Sequence, residues 1–160
     1  FVTRKITRGI CRIAAGLEDC LYVGNLNALR DWGHARDYVE AKWKMLQQVK
    51  PEDYVISTGR QTSVRNFIQL TCQTIGWGEL EWIGEGLDER GIRKSDNKVI
   101  VKIDKRYFRP TEVDTLLGDS MKAREKLNWT PKTSLEELIS EMVDFDMQEA
   151  KKEIMLSKKV

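Results

Sequence analysis

Two arginines in separate segments are the residues of this chain best placed to act on a ligand. One lies in Leu29-Arg30-Asp31-Trp32-Gly33-His34, the other in Arg106-Tyr107-Phe108-Arg109-Pro110-Thr111-Glu112-Val113. A guanidinium can fork onto a phosphate through two parallel hydrogen bonds, and a neighbouring carboxylate such as Asp31 can hold the fork. Pro110 drives Arg109 toward extended backbone and leaves its side chain free to project. A diphosphate spreads its charge over two phosphoryl groups, so two arginines from two loops suit it better than one. The bland alternative is a structural Arg30–Asp31 ion pair beside a buried indole.

A third basic cluster, Arg4, Lys5, Arg8 and Arg12, places Arg4, Arg8 and Arg12 on one helical face. Arg8 and Arg12 read as a solvated face, whereas Arg4 and Lys5 at the helix entrance could meet an anion. His34 has no Cys or His company and reads as a hydrogen-bonded or capping histidine. Tyr38 and Lys42 have the spacing of a proton-transfer pair, but Tyr38 sits on an apolar flank and reads as packing, with Lys42 exposed. The sequence offers no nucleophile elbow, no Cys/His pair, no metal-ligand spacing and no Gly-rich strand-to-helix phosphate loop. No catalytic, cofactor-binding or metal-binding residue is therefore assigned.

The elements that must carry these groups are legible from periodicity. Ile6, Ile10, Ile13 and Leu17, with Ala14, mark a first helix, and Cys20–Gly24 a short strand. A second helix runs from His34 to Gln48, with Ala35, Val39, Trp43 and Leu46 as its apolar face. Tyr54–Gly59 has the form of a buried parallel strand. Ser63 caps a third helix striped by Val64, Phe67, Ile68, Thr71, Cys72 and Ile75. Leu80–Gly84 and Val99–Ile103 read as strands, and Glu85–Lys98 between them as a surface loop. Asp119 opens a short helix to Leu127. Ser134 and Glu137 form a capping box for a last amphipathic helix, whose basic tail frays from Lys151. The class is α/β or α+β in one domain over residues 1–160.

The composition agrees with a folded, water-soluble domain. Of 160 residues, 41% are hydrophobic, with five Trp, four Tyr and four Phe, too many large apolar groups for a solvated coil. A chain of this size buries roughly 70% of its unfolded surface. The charge of +2 implies no general affinity for nucleic acid or anionic lipid. No apolar run reaches the length of a membrane span. Cys11, Cys20 and Cys72 leave an odd thiol, which fits a reducing, cytoplasmic compartment. The chain opens Phe1-Val2-Thr3, with no initiator Met or leader. That is expected of a segment of a longer protein; a start lost to processing or disorder is the other origin that fits.

The ordered set of strings Phe1–Ile6, Leu29–Val39, Thr58-Gly59 with Ser63–Arg65, Arg106–Val113, and Leu117–Asp119 with Lys126–Trp129 closely resembles the GDP-mannose 4,6-dehydratases, extended short-chain dehydrogenase/reductases. The resemblance is less regular from Gly76 to Lys98. It implies the C-terminal, substrate-binding portion of a Rossmann-fold enzyme. Such enzymes use NADP to oxidise C4 of the mannose of GDP-mannose, eliminate water across C5–C6 and return the hydride at C6. The glycine-rich cofactor loop, the acid–base residues and the Tyr-x-x-x-Lys pair belong to the other half, so this chain alone is expected to be inactive, its full-length form a homo-oligomer. The resemblance further implies that Arg4 and Lys5 contact the nucleotide and that Val23, Gly24 and Asn25 line the nucleoside pocket. Arg30 and Arg109 clasp the diphosphate, and Glu112 touches the nucleotide from the loop beyond. Asp31 would orient Arg30, and Trp32 would pack beneath it. A related epimerase, reductase or decarboxylase half, or a non-enzymatic α/β module, remain the alternatives.

Overall fold

The computed structural model describes residues 2–113 and 115–157. Phe1, at the head of the first resembling string, and the last three residues of the expected frayed tail lie outside them. Helix α1 (Val2–Ala14) turns its Ile6, Ile10 and Ile13 inward, and Gly16 closes it with φ +74°. Strand β1 (Leu21–Val23) then runs parallel to the much later β6 (Lys98–Ile103), with Leu21 opposite Val101 and Val23 opposite Ile103. Strand β2 (Leu29–Arg30) pairs antiparallel with β3 (Thr62–Ser63), and Leu29 also bridges Thr115. Arg30 therefore lies in a short strand, where the sequence had implied a loop.

Helix α2 (Ala35–Leu46) starts on His34, whose Nδ1 accepts from the Arg36 N–H at 3.0 Å. Helix α3 (Val64–Thr74) starts on Ser63, whose hydroxyl accepts from the Asn66 N–H. Strands β4 (Leu80–Ile83) and β5 (Arg90–Arg93) complete a mixed sheet of order β1-β6-β5-β4. Strand β5 lies inside the stretch expected to be a loop. Its Arg-Gly-Ile-Arg sequence carries no alternating apolar signal, because Gly91 packs against the Trp82 ring instead of presenting a side chain. Helices α4 (Met121–Leu127) and α5 (Leu135–Ser157) follow. The Ser134–Glu137 capping box is formed in both directions, and α5 continues helical to Ser157, past the expected fraying point.

The main core joins α1, α3 and α5 to the sheet around Ile6, Ile10, Phe67, Ile68, Ile100 and Ile139, all fully buried. Inside it, Asp146 accepts from the Thr7 hydroxyl at 2.7 Å. The Arg4 Nε stands 2.9 Å from Asp146 Oδ1, yet its N–H is not aligned with that oxygen, which is left without a hydrogen-bond donor. The three cysteines are free; burial pushes the Cys11 thiol up to about 11 and the Cys72 thiol up to about 12. A second, smaller core gathers Ala41, Ala123, Leu127 and Trp129, with Tyr38, Met45, Tyr54 and Ile56 against it. Tyr38 thus packs, as its flank position implied, while Lys42 is exposed.

Two expectations fail on this side of the molecule, for one reason. The α2 face of Ala35, Val39, Trp43 and Leu46 is turned out, Leu46 being 82% exposed, while Asp37 and Ala41 point in. Asp37 is tolerated there because it accepts from the Lys132 and Thr133 N–H groups at 3.0 and 2.9 Å; burial alone would raise its carboxyl, and these bonds hold it below its usual range. Residues 54–58 form no strand: their backbone has no ladder partner among the described residues, and Val55 is 53% exposed. Both segments carry the sequence of buried elements and lack a neighbour to bury them. Exposed apolar surface of this kind favours association. The chain should therefore self-associate with rising concentration and bind a hydrophobic dye, and Trp43→Glu should reduce both. A dispersed monomer with a cooperative melt and no dye binding, measured by sedimentation and fluorescence, would count against it.

Candidate functional site

The site forms where β1 ends. Gly24 leaves the strand so close to the turn after β6 that a Cβ there would lie 2.1 Å from the Tyr107 carbonyl oxygen, so only glycine fits. The Asp104 N–H donates to the Val23 carbonyl at 2.9 Å, extending the strand pairing into the turn. Asn25 then grips the Arg109 backbone: its Nδ2 donates to the Arg109 carbonyl at 2.9 Å and its Oδ1 accepts from the Arg109 N–H at 2.8 Å.

Arg30 enters from β2. Its Nη1 donates to the carbonyls of Leu29 (2.7 Å) and Val113 (2.8 Å), and its Nη2 to Glu112 Oε1 (2.7 Å). The other Glu112 oxygen stands 3.9 Å from Arg109 Nη1. One carboxylate thus lies between two guanidiniums, and the pair keeps a net positive charge. Arg109 is 76% exposed, against 21% for Arg30. A cavity of about 590 Å³ opens here, lined by Lys5, Val23, Gly24, Asn25, Arg30, Arg109 and Glu112. The Lys5 ammonium sits 3.1 Å from the centre of the Tyr107 ring. Val2, Ala28, Val64, Arg106 and Tyr107 complete the lining. Ala28 and Val64 gave no sequence signal, since small and aliphatic residues at strand and helix ends look like core.

Seven of the eight residues expected at the site therefore meet. Arg4 does not: it points to α5, over the Phe145 ring at 5.0 Å and against Asp146. Helical spacing explains this, because Arg4 and Lys5 project about 100° apart. Arg12 is likewise no solvated residue, being paired with Glu18 and Glu153. Asp31 does not orient Arg30. It accepts from the Thr58 N–H (3.0 Å), the Thr58 hydroxyl and the Gly59 N–H (2.8 Å), and Glu112 orients Arg30 in its place. Trp32 packs edge-on to Phe67 with ring centres 4.9 Å apart, inside the core. His34 Nε2 lies 3.3 Å from Glu141 of α5, joining its capping role to a helix contact. Among the described residues no His, Cys, Asp and Glu group could hold a metal ion, and no helix is long and apolar enough to cross a membrane.

This mixed α/β architecture is that of a portion of the Rossmann-fold dehydratases and epimerases. Solved structures that share the fold include RMD from Pseudomonas aeruginosa complexed with NADPH (TM-score 0.72, 17% identity, 93% of this chain and 43% of that one) and UDP-glucose 4-epimerase from Thermotoga maritima with UDP-glucose (TM-score 0.60, 26% identity, 90% and 37%). The family model for GDP-mannose 4,6-dehydratase matches residues 1–142, and the chain belongs to that family. It is 51% identical to the GDP-mannose 4,6-dehydratase of Yersinia enterocolitica over 98% of its length, and 55% identical to that of Dictyostelium discoideum over 92%. It spans 44% and 41% of those proteins, less than half of each.

The position of Asp31 yields a direct expectation. Asp31→Ala removes three hydrogen bonds to a charged acceptor at one turn and should cost about 2–3 kcal/mol, lowering the melting temperature by roughly 4–12 °C. Because Arg30 is held by Glu112 and two carbonyls, GDP affinity should stay within twofold. A loss of affinity as large as that of Arg30→Ala would restore Asp31 as the orienting group.

Proposed function

We propose that residues 1–160 act as one sugar-nucleotide-binding unit of a GDP-mannose 4,6-dehydratase, with GDP-mannose as ligand. The observation that carries this reading is the meeting over Glu112 of Arg30, on β2, and Arg109, on the irregular segment after β6. The excess positive charge and the free edge of Arg109 suit a diphosphate, and Lys5 on Tyr107 adds a cation at the nucleoside end. A related epimerase or reductase unit has less support: identity is near 50% to the dehydratases but 17% to the RMD structure and 26% to the UDP-glucose 4-epimerase structure.

NADP, the cofactor the family resemblance implies, would supply hydride-transfer chemistry to a complete enzyme. The described residues do not fit that group. Their strand-to-helix turns, at Arg30–Ala35 and Ser63–Val64, carry no glycine-rich cradle. The cofactor is accordingly assigned to a portion of a family-length protein outside these residues, and so are the reacting acid and base. What this chain contributes is binding and orientation of the substrate, in a complete enzyme that we read as a cytoplasmic homo-oligomer.

Two outcomes test the reading. A mass-verified 160-residue preparation should show no turnover of GDP-mannose with NADP, and measurable turnover would contradict it. Calorimetric titration of GDP should give an affinity that Arg30→Ala or Arg109→Ala each weakens roughly ten- to hundredfold, as expected for loss of a charged hydrogen-bond partner. Arg→Lys should recover only part, since an ammonium cannot form the fork. Unchanged affinity in both alanine variants would remove the diphosphate site.

A further inference from the structure

The geometry points to Asn25 as a positioning residue that sets the grip of Arg109, acting through that arginine's backbone and not by reading the nucleoside itself. The inference rests on the diphosphate reading above. Residues 104–113 form no helix or strand, and the Arg109 guanidinium is mostly solvated, with its nearest carboxylate at 3.9 Å. Nothing at the charged end fixes it. Its location is therefore decided at the backbone, where Asn25 takes both polar groups of the residue at 2.9 and 2.8 Å. A side-chain amide here does what a neighbouring strand does in a ladder, satisfying one N–H and one C=O of the same residue.

Only one orientation of the Asn25 amide satisfies an N–H and a carbonyl together, so the assignment of its oxygen and nitrogen follows from the partners. Asn25 itself is anchored two residues beyond the parallel β1–β6 pairing, so the clamp ties an irregular loop to the sheet. Pro110 narrows the Arg109 backbone further. A small rotation at the Arg109 Cα is amplified along the stem, and a misplaced fork loses its paired hydrogen bonds.

A double-mutant cycle on GDP affinity tests this. Arg109→Ala should weaken GDP as stated above, Asn25→Ala should weaken it about tenfold, and the double variant should bind within twofold of Arg109→Ala alone, because no guanidinium is left to position. Guanosine affinity should be the same in Asn25→Ala as in the parent chain. Losses that multiply in the double variant, an Asn25→Ala variant that binds GDP normally while Arg109→Ala does not, or weakened guanosine binding would each overturn the proposal. A silent Arg109→Ala would overturn the clamp's role, and a silent Arg30→Ala beside it would sink the diphosphate reading as well. Should Asn25→Ala melt below the assay temperature, Asn25→Ser runs the same cycle, its hydroxyl reaching one Arg109 group but not both.

Discussion

The parallel pairing of β1 with β6 is the constraint on which the ligand-facing side of this molecule depends. The two strands lie about eighty residues apart in sequence, and each runs at once into an irregular segment. The Val23 carbonyl takes the Asp104 N–H, Gly24 lets the two backbones touch, and Asn25 closes the contact on Arg109. Each step needs the one before it. A side chain at position 24 would push Tyr107 away and pull Arg109 off its clamp, without any change to the arginines themselves.

Charge follows the same logic of sharing. Arg30 is mostly buried, and a buried guanidinium is costly unless its donors are used. Two carbonyls and one Glu112 oxygen use three of the five, leaving the Nε–H and one Nη2–H for a ligand. Glu112 cannot neutralise two arginines, and its remaining oxygen is too far from Arg109 for a normal hydrogen bond. The result is a site that is internally stable at Arg30 and under-satisfied at Arg109. On the diphosphate reading, a dianion would meet one fixed cation and one free to close on it.

How far this could be read from the sequence depended on whether the deciding contact was local. The stripes of α1 and α3 and the caps of α3 and α5 were legible because their partners lie within a turn or on one face. Ser63 and the Ser134–Glu137 box behave as their spacing implied. The pairing of the two arginine loops was legible only as a chemical demand for two cations. The error over Asp31 shows the limit. It is adjacent to Arg30 in sequence, yet in a strand adjacent residues point to opposite faces. Its carboxylate consequently turns to Thr58 and Gly59, while an acid eighty residues away takes the arginine. Strand β5 was missed because its packing surface is a glycine.

The misreadings at α2 and residues 54–58 have a different cause. The pattern of these segments was read correctly, but the neighbour it calls for is not among the described residues. A five-residue apolar extension with unpaired backbone groups has the composition of a central parallel strand, and such strands are covered on both faces and paired at both edges. Ser57 is held through Gly118 and Tyr54 and Ile56 pack on the second core, so one side of the segment is already fixed. What remains open is its other side and the outer face of α2. The ligand site does not draw on either. Its residues hang from α1 and from the β1–β6 and β2–β3 pairs, whereas the exposed apolar surface belongs to the smaller core around Trp129. The arginine pocket and the exposed apolar surface are therefore carried by separate parts of the chain. Trp43→Glu should accordingly alter association while leaving the arginine pocket intact.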